Sequence, residues 1–483
     1  MMHQLFLSIK NTHAFWKAKI FEATKSKTKL LFMITRSKIP AKHDAGTPIS
    51  LRILIHNAKK IARKRGLASI VIQALSRLIG IALSIFLARM LGADAFGIYA
   101  YAFAIMSLMM ILGEIGVPNL LMREVAAAYS RQHWGLMRGA LVRSAQVVVS
   151  ISIVITIASL FVVYTLVEHF RATTFTTTII MLVTMPVAVW GKSVAYALRG
   201  LNWELAGQSA ELLLRPLFAF LIVVTAFLAM PQTRTPEFAM FSQLLGACIT
   251  LTVAGWWLSR ALPKQSVPGQ INFRDRHWGP STLRFTLISG GLVLNNQLDI
   301  VMLGWFAADE EVGAYRIAMQ GALLVAFGIQ AVNRVVSPKI SALYARGEME
   351  RLQKIVSQSA RLIFIFSLPI GFTMIFFGES VVVFAFGAEY GAAHLPLAIL
   401  AAAHVAKSLF GPVAALLNMT GFEKKTFWAI GAAAVVNVAL NLALIPNFGS
   451  TGAASASAAS LLAWHTILYI LTRRTIGIRS DVV

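Results

Sequence analysis

Apolar stretches of about 20 residues recur along this chain, and they restrict its fold more than any other feature. Each is long enough to cross the roughly 30 Å hydrocarbon layer of a bilayer as a helix. Little room is left for connections between residues 66 and 474, so the loops must be short. There are twelve such stretches, at residues 67–90, 99–118, 140–165, 175–197, 207–230, 238–259, 283–306, 316–336, 360–378, 395–417, 427–445 and 452–472. The pattern predicts an all-α integral membrane protein with twelve transmembrane helices.

The composition excludes the other broad classes of protein. Of the 483 residues, 57% are hydrophobic and 13% are charged, whereas a soluble domain is about 25% charged. A disordered chain is excluded because so much apolar surface does not stay solvated. An internal disulfide framework is excluded because Cys248 is the single cysteine.

The basic residues predict the orientation of the spans. Of the 44 Lys and Arg, 37 lie before the first span, after even-numbered spans or at the C-terminus. Such residues stay on the cytoplasmic side during insertion, which predicts that both termini are cytoplasmic. The net charge of +24 therefore reflects topology and attraction to anionic lipids, and no nucleic-acid partner is predicted.

Residues 1–65 form a basic cytoplasmic tail with 15 Lys and Arg. The longest apolar run in the tail, residues 30–35, is too short for a secretory signal. One interpretation is a flexible or interfacial segment, with an amphipathic helix over residues 51–65. The other is that the functional chain begins at Met33 or later.

The sequence contains an internal repeat. The segment 93–99 matches 309–315, with Gly and Tyr at equivalent places, and two further pairs keep nearly the same offset: 129–131 with 344–346, and 144–145 with 359–360. The shared Gly-x-Tyr is typical of a tight outer turn.

Six spans per repeat is an even number, so both halves have the same orientation in the membrane. This predicts two six-helix lobes, residues 66–262 and 263–474, related by a pseudo-two-fold axis along the membrane normal. Residues 475–483 form a cytoplasmic C-terminus. Such lobes enclose a central cleft that can open to either side.

Polar side chains inside the spans are the candidates for a substrate site, because an ionisable group there costs roughly 2.5–3.5 kcal/mol on insertion scales. Arg77 shares a polar stripe of the first span with Gln73 and Ser76, and Lys407 lies three residues after His404. The spacing of Asn295, Asn296 and Asp299 places them on one face of the seventh span. Arg77, Lys407, Gln73, Asn295 and Asn296 are the predicted substrate-binding residues, and Asp299 and Glu114 are the acidic candidates within the spans.

Other polar residues in the spans have a structural interpretation. Glu211 and Arg215 have the i, i+4 spacing of an internal ion pair. Asn437 and Asn441 share a helix face, which is typical of polar contacts between helices as well as of a site. Four prolines lie within spans and predict bends: Pro186, Pro216, Pro369 and Pro412.

Enzyme motifs are incomplete in this sequence. Gly191-Lys192-Ser193 resembles the end of a P-loop, but Pro186 replaces the required first glycine. The sequence has no Cys/His cluster for zinc and no acidic pair in a loop large enough for a sugar-nucleotide site. Its longest outer loop, near residues 379–394, is shorter than a polysaccharide polymerase or ligase is expected to carry. We therefore predict a protein that is not an enzyme, with no catalytic residues, metal site or cofactor.

Several segments resemble the O-antigen and polysaccharide flippase family of the multidrug/oligosaccharidyl-lipid/polysaccharide exporter superfamily. The resemblance covers residues 66–474. The segments that carry it are 91–99, 113–117, Arg123-Glu124, 435–446, Gly449 and 452–454.

The resemblance implies a flippase of the bacterial cell inner membrane. It would move a polyprenyl-pyrophosphate-linked oligosaccharide by alternating access, for the synthesis of O-antigen, capsule or exopolysaccharide. Sodium or protons would drive the cycle. Arg77 and Lys407 would contact the headgroup, and Asp299 and Glu114 would couple the ion to transport or gate the cavity. Expected partners are the lipid-linked oligosaccharide, membrane lipids, a polysaccharide polymerase and glycosyltransferases. The alternatives are a cation-coupled multidrug extruder and a non-transporting membrane partner of glycan assembly.

Overall fold

The structure is a computed structural model that describes residues 49–165, 172–263, 271–273, 282 and 297–482. The chain divides into two units between Lys64 and Arg65, and apart from the first residues of α1 the features below lie in the second unit. In chain order the helices are α1 (Ile49–Leu91), α2 (Ala93–Glu114), α3 (Val117–Ser130), α4 (Trp134–Thr165), α5 (Ala172–Gly200), α6 (Glu204–Ser209), α7 (Arg215–Ala229), α8 (Pro236–Ala261), α9 (Gln297–Phe306), α10 (Asp309–Val325), α11 (Phe327–Ala345), α12 (Met349–Phe376), α13 (Gly378–Phe386), α14 (His394–Leu409), α15 (Val413–Met419) and α16 (Glu423–Ile476).

Eight helical segments among the described residues are long and apolar enough to cross a membrane. Two bent pairs, α10 with α11 (42°) and α14 with α15 (49°), raise the number to ten if each pair is one span. The predicted span 283–306 is described only from Gln297 onward. The chain is thus a helical, multi-pass membrane protein, and the number twelve stays a prediction.

The longest helix, α16, consists of two helices folded back on each other. Its 54 residues would extend about 81 Å if straight, far more than a bilayer. Gly449 breaks it with φ 51° and ψ −131°, a conformation that favours glycine. Asn437 on the first arm donates to Ser457 on the second at 3.4 Å. The two arms match the predicted spans 427–445 and 452–472.

The outer surface of the described helices is apolar, as expected for a chain whose solvent is lipid. Polar groups such as Asp299, Asn437 and Asn441 are buried instead. Large exposed apolar side chains include Phe384, Trp305, Trp428, Tyr164 and Val435.

The repeated Gly-x-Tyr segments lie in helices, so the prediction of a tight turn is wrong. They form the first turns of α2 and α10, which pack against each other. A Cβ on Gly97 would overlap the backbone carbonyl of Asp309, and a Cβ on Gly313 would lie 3.0 Å from the Ala93 carbonyl oxygen. Glycine is needed because it lets the two helix backbones approach closely.

Two of the four predicted proline bends occur at breaks in the helices. A π-helix, Ala210–Leu214, precedes Pro216, and Pro412 immediately precedes α15. Pro186 and Pro369 lie inside the continuous helices α5 and α12.

The segment near residues 379–394 is not the long loop expected from the sequence. It contains most of α13 and a 3₁₀ turn, Ala388–Ala393.

Candidate substrate cavity

A cavity of about 720 Å³ lies between α1, α2, α7, α8, α10 and α11. This volume is within the 300–1,000 Å³ range typical of ligand pockets. Most of the lining is aliphatic or aromatic. The charged lining residues are Arg77, Glu211, Arg215 and Arg316, and the aromatic ones are Phe96, Tyr99, Phe103 and Phe327.

Arg215 and Arg316 both lie against the aromatic ring of Phe103. The guanidinium carbon of Arg215 is 5.8 Å from the centroid of Phe103, and that of Arg316 is 5.3 Å from it. Both distances are within the range of cation–π interactions. One turn earlier on α2, the Tyr99 hydroxyl accepts a hydrogen bond from Gln243 Nε2 at 3.1 Å.

Arg77 is held by two contacts with α11. Its guanidinium lies 5.3 Å from the Phe327 centroid and donates to Gln330 Oε1. The neighbouring Ser76 donates to the carbonyl of Leu212. In a regular α-helix that carbonyl would accept from the residue four positions later, but Pro216 has no N–H to donate. Ser76 therefore fixes α1 against the π-helix and places Arg77 at the cavity.

Glu211 is neutralised by a residue outside the lining. Its carboxylate accepts from Arg199 Nη1 at 3.0 Å and from the Tyr196 hydroxyl at 3.1 Å. The predicted Glu211–Arg215 pair is therefore wrong. The π-helix that begins just before Glu211 widens the turn, so the i, i+4 geometry of a regular helix is lost.

The cavity is cationic as a result. Among the described residues, no carboxylate lies within ion-pair distance of Arg77, Arg215 or Arg316. Arg334 on α11 lies near enough to Arg77 to repel it.

Arg316 is the residue that the sequence analysis missed, because the positive-inside assignment placed it on the outer side. The structure begins α10 at Asp309, so Arg316 lies two turns inside the helix and faces the cavity. A signal was present: Arg316 directly follows the Tyr315 of the internal repeat.

Other predicted site residues lie elsewhere. Lys407 is absent from the lining and lies near His404 and His465, whose positive charge it would oppose. Gln73 is also absent from it and donates to Ser69 Oγ at 3.4 Å on its own helix.

Glu114 forms an ion pair within the first half of the chain. Lys192 Nζ donates to both of its carboxylate oxygens at 2.8 Å. Asn295 and Asn296 lie outside the described residues.

Asp299 is the centre of a buried polar cluster. Its carboxylate accepts from the Tyr315 hydroxyl at 3.0 Å, from Asn441 Nδ2 at 2.6 Å and from Ser457 Oγ. Asn441 also donates to Asn437 Oδ1 at 3.0 Å. The cluster joins α9, α10 and both arms of α16. It brings Asp299 together with the two asparagines whose shared face the sequence had indicated.

Comparison with known proteins identifies the family. A family model described as "Polysaccharide biosynthesis protein" matches residues 62–344, more than half of the chain, and a second one, "MatE", matches residues 291–443. The chain is 24% identical to a probable low-salt glycan biosynthesis flippase of Haloferax volcanii over 389 residues, which are 80% of this chain and 77% of that protein. A probable flippase of the same organism is 26% identical over 173 residues, which are 34% of this chain and 35% of that protein.

Solved structures with the same fold are membrane transporters. An inward-facing multidrug resistance MATE family transporter has a TM-score of 0.69 at 14% identity, with 85% of this chain and 98% of that chain covered. The lipid II flippase MurJ, in an inward closed conformation, has a TM-score of 0.62 at 12% identity, with coverages of 84% and 87%. Fold and family together make the chain a transporter and not an enzyme. It belongs to the polysaccharide biosynthesis family of the multidrug/oligosaccharidyl-lipid/polysaccharide exporter superfamily.

Proposed function

We propose that this protein is a flippase that moves a polyprenyl-pyrophosphate-linked oligosaccharide across its membrane by alternating access. The observation that carries the proposal is the cavity lined by Arg77, Arg215 and Arg316 among apolar side chains. A lipid-linked sugar pyrophosphate matches this lining, because it carries an anionic headgroup beside a long apolar chain. The two similar proteins of Haloferax volcanii, both described as probable flippases, support the same class of activity.

The arginines suit a pyrophosphate for an energetic reason. Arginine binds phosphate oxygens in bidentate geometry. A guanidinium held inside a membrane protein without an acidic partner is costly. An anionic headgroup that enters between the three would supply the missing charge.

A multidrug extruder is the second candidate, because the MATE transporters share this fold. Organic cations require an acidic pocket. Among the described lining residues the single carboxylate is Glu211, which Arg199 already neutralises. The charge of the cavity therefore favours an anionic substrate.

The proposal includes the architecture that the sequence predicts. Twelve spans would form two six-helix lobes, residues 66–262 and 263–474, with the basic tail 1–65 and both termini in the cytoplasm. The substrate would serve surface-polysaccharide synthesis in concert with glycosyltransferases and a polymerase. The proposed location is the bacterial inner membrane. Because the similar flippases come from an archaeon, the cell membrane of an archaeon is the alternative location.

Asp299 is the proposed ion-coupling residue. It is buried, and the adjacent Asn441 Oδ1 is also buried and has no hydrogen-bond partner among the described residues. A carboxylate beside an unused amide oxygen suits a small cation, and sodium and the proton are both candidates. Glu114, bound by Lys192, supports the fold in this proposal, and Lys407 is a second cation away from the cavity.

A deletion strain complemented with variants tests the proposal. Accumulation of lipid-linked oligosaccharide in the deletion strain supports a flippase, hypersensitivity to drugs an extruder, and loss of the glycan before the lipid-linked stage a non-transporting partner. Arg77→Ala and Arg316→Ala should fail to complement although they insert normally. Arg351→Ala, which removes an exposed arginine, should complement. Full complementation by both cavity variants would refute the role of the arginines.

A further inference from the structure

We infer that Phe103 is a positioning residue that holds Arg215 and Arg316 for one headgroup and thereby gives the cavity a preference for a diphosphate over a monophosphate. The inference rests on the proposed function. Phe103 has no polar atom of its own, so any effect it has on a phosphate acts through the two arginines.

The geometry around the ring supports this role. Arg215 and Arg316 carry like charges on α7 and α10, and both guanidinium groups lie within 6 Å of the Phe103 centroid. Two cations in a cavity of low dielectric repel each other strongly. The negative face of an aromatic ring attracts a guanidinium, so the ring offsets part of the repulsion and keeps both groups near one point.

The lining around Phe103 adds a donor for the same ligand. Tyr99 is one helical turn before Phe103 on α2, and its hydroxyl oxygen accepts from Gln243. No acceptor for the hydroxyl proton lies among the residues that the structure describes, so the proton can be donated to a phosphate oxygen. Tyr99 also lies close to both arginines, so three donor groups converge beside the ring.

A diphosphate can use both arginines at once, whereas a monophosphate is satisfied by one. Replacing the ring with an aliphatic side chain leaves the charges in place. Arg316 keeps its contact with Gln297 and Arg215 its contact with Met106, but the group that both arginines share is lost. The second phosphoryl group then loses its partner, while the first keeps one. Loss of the ring should thus weaken diphosphate binding more than monophosphate binding.

The test measures binding of farnesyl diphosphate and farnesyl monophosphate to the purified full chain in detergent by titration calorimetry. The unsubstituted protein should prefer the diphosphate. Phe103→Leu should weaken diphosphate binding about tenfold, as expected for the loss of two cation–π contacts, and change monophosphate binding much less. Phe103→Tyr keeps the ring and should retain the preference. Phe161→Leu, at a lipid-exposed position of α4, is the matched control.

The outcomes separate this inference from the proposed function. An unsubstituted protein that prefers the diphosphate, with a Phe103→Leu variant that keeps the preference or weakens both probes equally, would overturn the inference alone. An unsubstituted protein without preference would overturn both. If Phe103→Leu does not fold, Arg316→Lys provides the test: it keeps the charge but loses the planar group that stacks on the ring. That variant should lose the preference, and its retention would overturn the inference.

Discussion

The close contact between α2 and α10 can be tested by adding a single methyl group. Gly97 faces the backbone carbonyl of Asp309, and a Cβ at this position would overlap that carbonyl. Backbone cannot move aside as a flexible side chain does. Gly97→Ala should therefore force the first turns of the two helices apart.

The expected magnitude follows from the contacts. Overpacking of this kind costs about 1–3 kcal/mol. We call the arrangement with α2 and α10 in contact closed and the one with them apart open; the cost then changes the equilibrium constant between the two by a factor of about 5–150. Gly313 has its nearest atoms at 3.0 and 3.3 Å, so a shift of a few tenths of an ångström accommodates a methyl group there. Gly255 on α8 has no atom within 4 Å of an added Cβ. The effect should decrease from Gly97→Ala to Gly313→Ala and be absent in Gly255→Ala.

Spin-label distances measure the effect directly. Leu228 and Phe376 are exposed near the C-terminal ends of α7 and α12, and cysteines at both positions in a Cys248→Ser background accept the labels. Gly97→Ala should lengthen the distance or add a longer component. Gly255→Ala controls for the general helix-stabilising effect of alanine. Equal distance distributions for these two variants would refute the reasoning that a methyl group at Gly97 forces α2 and α10 apart.

Three further predictions concern polar contacts. Ser76→Ala removes the hydroxyl that donates to the Leu212 carbonyl and should lower the free energy of unfolding by about 1 kcal/mol, seen as a lower Tm in detergent; an unchanged Tm would contradict it. Glu114→Gln should cost about 2 kcal/mol, less than a fully buried pair because 30% of the Lys192 side chain is exposed, and the added change Lys192→Met should recover most of the loss in Tm. Asp299→Asn should remove the ion dependence of transport in vesicles without preventing insertion, and a retained sodium or pH dependence would exclude Asp299 as the coupling residue.

The sequence predicted the helical membrane class well because the bilayer imposes a simple rule on hydropathy. It predicted the two arms of α16 as separate spans because the apolar run is interrupted near Gly449, where the chain folds back. It could not predict that the repeated Gly-x-Tyr lies inside helices. A glycine used for a turn and a glycine used for close packing look the same in one dimension.

The site was predicted in part. Arg77 was identified because a charge in the middle of an apolar run is conspicuous. Arg316 was not, because an apolar window cannot show where a helix begins, and α10 begins seven residues before the predicted span. The π-helix changed the partner of Glu211, and the spacing of Glu211 and Arg215 contains no signal for it.

Contacts between distant helices were the least predictable part. Asp299 and Asn441 were both singled out, but their hydrogen bond depends on the fold-back of α16 at Gly449. Lys407 was paired with Arg77 as a headgroup contact because each is a cation in a different half. The sequence holds no information on which face of α14 is directed toward the cavity, and Lys407 is not among the lining residues.

The helices α2 and α10 supply both the close glycine contact and part of the cationic cavity. This gives a physical basis for coupling between that contact and the cavity. On α2, Gly97 meets α10, and Phe103 lies less than two turns further on; on α10, Gly313 meets α2, and Arg316 follows three residues later. A separation of these helices that relieves the glycine contact would also draw Arg316 away from the Phe103 ring. An anion held between Arg215 and Arg316 would then bind the closed arrangement more tightly than the open one, and by linkage it would stabilise closure by the same free energy. Under the proposed function, release of the headgroup from the cavity and opening of the contact between α2 and α10 are therefore a single step.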